Sequence, residues 1–483
     1  MEQAVVDNDV GVGVETDRLS ELQIEVLQHI LSFLPTKQVF QSTLLSTTWR
    51  HVWTTFPTLK FDSTNKRNLE DVKRIKANFY KFVEKTLRIR HHQSERSQIK
   101  NFELMDGLPH SKSMSRVDRW ISFVLESDVE ELNLDFRYSQ IDYILPHAVL
   151  FAKSLTALTL YSCKLESTCC GDINLPSLKK LSLSFVYADD QIFRNLVSGC
   201  PVIEDMKFGN CRGIKSMKFF GLPKVMAITV TKNDGLERLE LALEASNLYY
   251  LCIDQGSIPE LNLHLLPCKN LKELIIDTPN VTEKWLDEHL SGLPLLENLR
   301  LRVCSGLERI KLSSRHHLKS LELWLCKNLV EVMIDTPKLC RLLYFGETAI
   351  SFSLNALGLL KAEPYGTWDA KKIEFLSKMR NSKVFKLNII DFKDVIIPKE
   401  LRETLPSPLY NVKHLKLSYE KPIYKGENPS CCKFLPFPCW RHCLKTVKID
   451  SLKGYTDEEL LYKYFSENAK TLEDFQFHVG GIA

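Results

Sequence analysis

Cys431, Cys432, Cys439, His442 and Cys443 are the one dense group of metal-ligand residue types in the sequence. A structural zinc site wants two C-x₂₋₄-C pairs separated by a longer stretch. Cys439 and Cys443 make one such pair, and the adjacent Cys431 and Cys432 make a poor second. The reading is no metal. Gly11-x-Gly13 lacks a third glycine and precedes no strand, so a dinucleotide site is unsupported. No phosphate-binding loop, G-x-S-x-G elbow or H-E-x-x-H pair is present. His91-His92 has no partner at ligand spacing. With no nucleophile and base at motif spacing, the sequence predicts a chain that is not an enzyme and needs no cofactor.

The elements around these residues are set by a leucine period. The clearest copy, Leu155-Thr-Ala-Leu158-Thr-Leu160-Tyr-Ser-Cys163-Lys-Leu165, reads L-x-x-L-x-L-x-x-C-x-L, the leucine-rich-repeat signature. The second leucine of successive copies falls at Leu132, Leu158, Leu181, Met206, Ile228, Leu251, Leu274, Leu299, Leu321 and Leu342. The steps are 26, 23, 25, 22, 23, 23, 25, 22 and 21 residues, near the ~20–29 of such repeats. In L-x-L both leucines point to one face of a short strand, and only stacking of neighbouring copies can bury them. A half-period through Leu239, Ile310 and Val332 predicts a second set of short strands on the outer wall. Asp189–Val197 and Val281–Leu290 read as helical inserts, each followed by Ser-Gly-x-Pro. Cys163, Cys211, Cys304 and Cys326 fall at the turn after the strand, where these repeats favour Asn or Cys.

Composition narrows the function classes. The net charge is +4 over 483 residues, too mild for a nucleic-acid binder. No run approaches the ~18 apolar residues of a membrane span. The acidic start lacks a signal-peptide pattern, which predicts an intracellular protein, nuclear or cytoplasmic, with reduced cysteines. The Asn280-Val281-Thr282 glycosylation triplet is then idle.

Residues 17–57 form a short helical module. Ser20 and Gln23 suggest a capping box ahead of Leu22, Val26, Leu27, Ile30, Leu31, Phe33 and Leu34. Pro35 stops that helix, Thr36 can cap a second with Val39, Phe40 and Leu44, and a third carries Trp49, Val52, Trp53 and Phe56. So few residues cannot bury so many large apolar side chains unaided, so some surface must face another domain or protein.

Residues 66–100 carry eleven Lys and Arg against four Asp and Glu. Val72, Ile75, Phe79, Phe82, Val83 and Leu87 run through them at helical spacing, which predicts an amphipathic helix with a solvated outer face. Beyond Phe345 the period blurs. Lys371–Met379 reads as a helix, Val384–Ile389 and Val412–Leu417 as strands, and 420–440 as a long loop.

The run Asp17-Arg18-Leu19-Ser20-Glu21-Leu22, then Val26 to Lys37, Leu44-Leu45-Ser46, Trp49-Arg50 and Trp53, resembles the plant F-box. It departs at Leu22-Gln23-Ile24-Glu25, where the family usually has Leu-Pro, and at Thr47-Thr48, where it has a basic pair. The end, from Cys443 to Glu473, resembles the FBD domain that closes many plant F-box proteins. The resemblance implies an α/β chain: an acidic tail (1–16), a three-helix F-box (17–57), a helical linker (58–98), a leucine-rich-repeat solenoid with a curved parallel sheet (99–420), and a small α+β FBD-like module (421–483). It implies docking on a Skp-type adaptor, and through it a cullin scaffold, by Leu22, Ile30, Leu31, Leu34, Pro35, Leu45, Ser46 and Trp49. The function expected is target recognition for a ubiquitin ligase; the alternative is a repeat scaffold that does not engage the ligase. Tyr161, Arg300, Arg302 and Trp324 are the inner-wall candidates for holding a target protein, because Tyr, Trp and Arg dominate binding hot spots. Neither nucleic acid nor membrane is expected as a partner.

Overall fold

The computed structural model describes residues 19, 21–63, 72–91, 99–106, 111–137, 142–166, 173–243, 247–312, 317–346, 351–355, 361–365, 384–389, 414–419, 445–451, 462–463, 465–467 and 472–479. The acidic tail, the helix expected over Lys371–Met379, the 420–440 loop and the Cys431–Cys443 cluster lie outside them. The chain divides into two compact units, Met1–Lys164 and Leu165–Ala483.

The first unit opens with α1 (Ile24–Ser32), α2 (Thr36–Ser42) and α3 (Thr47–Thr55). The expected capping box does not start α1: Gln23 is its N-cap, without a side-chain cap. Thr36 does not cap α2 either. Pro35 takes that place, and the buried Thr36 hydroxyl accepts the N–H of Lys60 at 2.8 Å. Ser46 does cap α3, accepting from the Trp49 N–H at 3.3 Å. The segment expected as a purely helical linker holds a strand, β1 (Thr58–Asp62), as well as the predicted amphipathic helix α4 (Val72–His91). β1 pairs in parallel with β2 (Asn101–Met105). After α5 (Ser111–Glu126) the sheet continues through β3 (Glu131–Asp135). A two-residue β4 (Tyr143–Ile144) precedes β5 (Ala157–Tyr161), which pairs with β3 so that Leu132 faces Leu158. β6 (Cys163–Lys164) pairs with β4. The strands therefore begin two rungs before Leu132, the first position of the leucine period.

The second unit repeats one rung many times. Its main sheet starts with β7 (Lys180–Ser184), followed after α6 (Asp190–Gly199) by β8 (Asp205–Gly209). Every further rung is parallel, and the period leucines are register partners: Leu181 with Met206, Ile228 with Leu251, Leu274 with Leu299, Leu321 with Leu342. The half-period strands exist as a second layer. β9 (Ser216–Phe220) and the strands Arg238–Ala242 and Glu260–His264 form one small parallel sheet. The strands Arg309–Leu312, Glu331–Asp335 and Ser351–Asn355 form another. Between the layers lies the core, where Phe193 of α6 meets Phe208 of β8 at 5.2 Å and Phe219 of β9 at 5.4 Å between ring centroids. Asp189 caps α6 through the Ile192 N–H, and Thr282 caps α7 (Glu283–Leu290) through the Trp285 N–H.

Neighbouring rungs are also matched in charge. Lys179 pairs with Glu204 at 3.6 Å, Lys218 with Glu240 at 3.0 Å and Lys319 with Glu297 at 2.8 Å. Exposed pairs contribute little energy each, but opposite charges on facing positions penalise a slipped register. Strands Val384–Ile389, His414–Tyr419, Thr446–Ser451 and Asp474–Val479 pair successively in parallel. The last two lie in the FBD-like segment, so that segment adds rungs to the repeat sheet.

Candidate functional site

Two surfaces merit attention, one in each unit. The first is built by the three N-terminal helices. α1 is apolar on two faces. Leu27 and Leu31 point inward with Val39, Trp49, Val52 and Trp53, all buried. Full burial of one such side chain is worth about 1.5–3 kcal/mol, so this inner face fixes the helices. Gln28 locks α1 to α3, donating to the Thr55 main-chain oxygen at 3.2 Å and hydroxyl at 3.1 Å. The outer face carries Leu22, Val26, Ile30 and Leu34, all exposed, one helical turn apart. Phe33 is 74% exposed, and beyond α2 Leu44 and Leu45 are 85% and 69% exposed. Single exposed apolar residues are ordinary, but this many large ones on neighbouring segments make this surface the candidate site of the first unit.

Of the residues expected at the adaptor contact, Leu22, Ile30, Leu34, Pro35 and Leu45 are exposed on these segments. Ser46 is half-buried and spends its hydroxyl on the α3 cap. Leu31 (1% exposed) and Trp49 (6%) are instead buried, their side chains packed in the module's own core. Val26, Phe33 and Leu44, which the resemblance does not assign to the contact, are exposed on the same segments.

The second surface lies on the main sheet of the second unit. Strand Asn298–Arg302 pairs with Ser320–Trp324, placing Arg300 opposite Glu322 and Arg302 opposite Trp324. Glu322 is buried and takes the Arg300 Nε–H at 2.5 Å on one oxygen and an Arg341 N–H at 2.5 Å on the other. These three line a polar depression of about 170 Å³ with Glu273, Asn298 and Ser320. Next to it the Arg302 guanidinium lies 5.3 Å from the Trp324 ring centroid, and Trp324 stacks on Phe345 at 4.4 Å and 16°. Arg300, Arg302 and Trp324 are thus brought together. Tyr161 belongs to the first unit, where the Arg137 guanidinium covers its ring at 4.4 Å while bonding Asp135.

The repeat cysteines are structural in geometry. Cys163, Cys211, Cys304 and Cys326 are buried, and each thiol donates to the main-chain oxygen two residues before it, at 3.6, 3.7, 3.2 and 3.7 Å. Burial pushes the Cys211 thiol up to about 11 and the Cys200 thiol up to about 12. Thiols held protonated in this way are poor nucleophiles. Among the described residues, no three His, Cys, Asp or Glu side chains are placed to share a metal ion. No described helix is long and apolar enough to cross a membrane.

Comparison with known proteins matches both parts of the chain to known domain families. Residues 19–61 match the F-box domain family. Residues 89–265 and 259–370 match the leucine-rich-repeat family described as At1g61320/AtMIF1, LRR domain. The F-box/FBD/LRR-repeat protein At3g52680 of Arabidopsis thaliana is 30% identical over 353 residues, covering 68% of this chain and 71% of the relative. The putative F-box/LRR-repeat protein At5g02930 of the same plant is 30% identical over 248 residues, covering 50% of this chain and 48% of the relative. A third Arabidopsis relative, the putative F-box/LRR-repeat protein At3g18150, is 28% identical, with 59% and 58% covered. The chain thus spans about half the length of two of these relatives. With folded helices, repeat rungs and relatives all in agreement, the chain belongs to the F-box/leucine-rich-repeat proteins, a family that includes a member carrying an FBD.

Proposed function

We propose that this chain is the target-recognition subunit of an SCF-type (Skp–cullin–F-box) ubiquitin ligase. The observation that carries the reading is the exposed apolar face of Leu22, Ile30, Leu34 and Leu45 on helices whose other side is fully packed. That face docks on a Skp-type adaptor, which hangs from the cullin scaffold. Arg300, Arg302 and Trp324 are the candidates for holding a target protein. The chain itself makes and breaks no bond. It works inside the cell by proximity, raising the effective concentration of target lysines near activated ubiquitin.

Co-purification with a Skp-type adaptor tests the reading. Leu34→Asp puts a charge into the apolar contact and is expected to weaken binding at least about a hundredfold, since an unpaired buried charge costs several kcal/mol. Circular dichroism of the variant should be unchanged, because Leu34 is outside the core. An intact chain that binds no adaptor would leave a repeat scaffold outside the ligase as the better reading.

A further inference from the structure

Helix α4 turns cations outward beside the docking face. Lys81, Lys85 and Arg88 are exposed and lie about one turn apart along one side of the helix. Exposed Arg119 of α5 joins them. The carboxylate among them is Glu84, which accepts from the Arg116 Nε–H at 2.7 Å. Glu84 is held below the usual carboxylate range, first by that hydrogen bond and further by the charges of Arg116, Arg119 and Arg88. One acid is therefore surrounded by several cations, and the patch is positive.

Its position gives it meaning. Lys85 Nζ sits 5.6 Å from the Phe40 ring centroid, and Phe82 of α4 meets the same ring at 6.0 Å. Phe40 belongs to α2, whose two ends lead into Leu34-Pro35 and Leu44-Leu45. The positive patch thus adjoins α2, the helix that joins the exposed apolar segments. That face is assembled from two separate stretches, Leu22 to Pro35 and Leu44-Leu45, a shaped surface that fits a protein groove better than a lipid plane.

We propose that the cations of α4 and α5 are the electrostatic half of the adaptor interface, and that the adaptor presents an acidic surface next to the groove that takes the leucines. This rests on the adaptor reading above and adds the partner's charge to it. Such a patch steers encounter and so acts on the association rate, while the apolar contact governs dissociation.

Stopped-flow association of the full chain with a Skp-type adaptor, from about 50 to about 500 mM salt, is the test. The wild-type association rate should fall steeply with salt. Lys81→Glu with Arg88→Glu should lower it about tenfold at low salt and flatten the salt dependence, with dissociation changed less than about twofold. Lys81→Gln with Arg88→Gln should give a smaller drop in the same direction, which keeps the test decisive if charge reversal impairs folding. A wild-type rate independent of salt, or variant rates equal to wild type while the adaptor still binds, overturns the proposal alone. Binding to phosphatidylserine vesicles that depends on Lys81 and Arg88, with adaptor kinetics unaltered, also overturns it. A chain that binds no adaptor at any salt overturns the adaptor reading and this one together.

Discussion

The Arg90 guanidinium donates to the main-chain oxygen of Trp53 at 2.5 Å and also lies over the indole ring of Trp53, 5.7 Å from its centroid. The same side chain reaches the main-chain oxygens of Thr54 at 2.6 Å and Phe56 at 2.5 Å. These are the carbonyls at the end of α3, where a helix leaves its acceptors unsatisfied and its dipole favours a cation. Burial pulls the Arg90 pKa down to about 10, still far above neutrality, so the charge persists. A residue of the basic segment thereby clamps the end of α3.

Arg90→Ala should therefore cost about 3 kcal/mol, because it leaves buried carbonyls without donors. Arg90→Lys should not restore the loss, since a single ammonium cannot span three carbonyls arranged for a fork. Urea denaturation of the three proteins checks this. A loss below about 0.5 kcal/mol for Arg90→Ala would show that water replaces the guanidinium.

Asn233 is the polar keystone between rungs. Its side-chain oxygen accepts from the Cys211 N–H at 2.9 Å and its amide donates to the Phe208 oxygen at 3.1 Å, while Gln255 accepts from its main-chain N–H at 2.7 Å. Asn233 is buried, so Asn233→Ala strands a donor and an acceptor, and a loss of about 2–3 kcal/mol is expected in the same assay. Asn233→Asp should be no better, because the carboxylate cannot donate to Phe208.

The leucine period was legible because each rung repeats one burial pattern, and all the period positions from Leu132 to Leu342 lie in strands. β1 was not. Leu59 pairs with Phe102, a step of 43 residues that breaks the period, because α4 intervenes. The exposed apolar face was half legible. α1 is apolar on both sides, and spacing alone cannot say which stripe is covered by the chain and which is left open. Leu31 and Trp49 enter the contact set through the family resemblance alone, and the structure buries both. Arg90 lay hidden in a basic run, where sequence cannot show the one cation that turns inward.

Asp277 and Asp254 face each other on neighbouring rungs. The Asp277 carboxyl is pushed up, first by burial and then by the Asp254 charge, against the pull of Arg302 and Lys232. The folded state therefore keeps this proton to a higher pH than the unfolded chain, whose value is about 3.9. Stability is lost as pH rises through the window between the two values, and the penalty persists at neutral pH. Asp277→Asn should accordingly stabilise at pH 7, by less than about 1 kcal/mol for a half-buried group, and the gain should vanish near about pH 3. Denaturation of both proteins at the two pH values measures it. A gain equal at both would trace the effect to packing.

Val303 holds a backbone conformation that a β-branched residue rarely adopts, with φ at 51°. Its N–H donates to the Trp324 oxygen at 2.8 Å, extending the ladder by one bond beyond the strand. Asn210 and Lys232 take the same left-handed turn on earlier rungs, with φ of 52° and 49°. The Val303 side chain is exposed, so replacing it gives up little burial. Val303→Asn should raise stability by about 1 kcal/mol, the cost of forcing a Cβ-bearing, branched residue into this region. Val303→Gly should gain less, because glycine adds freedom to the unfolded chain. Both are read from the urea midpoint at constant slope. A loss in Val303→Asn would mean that the valine side chain is held in place by packing that outweighs its backbone strain.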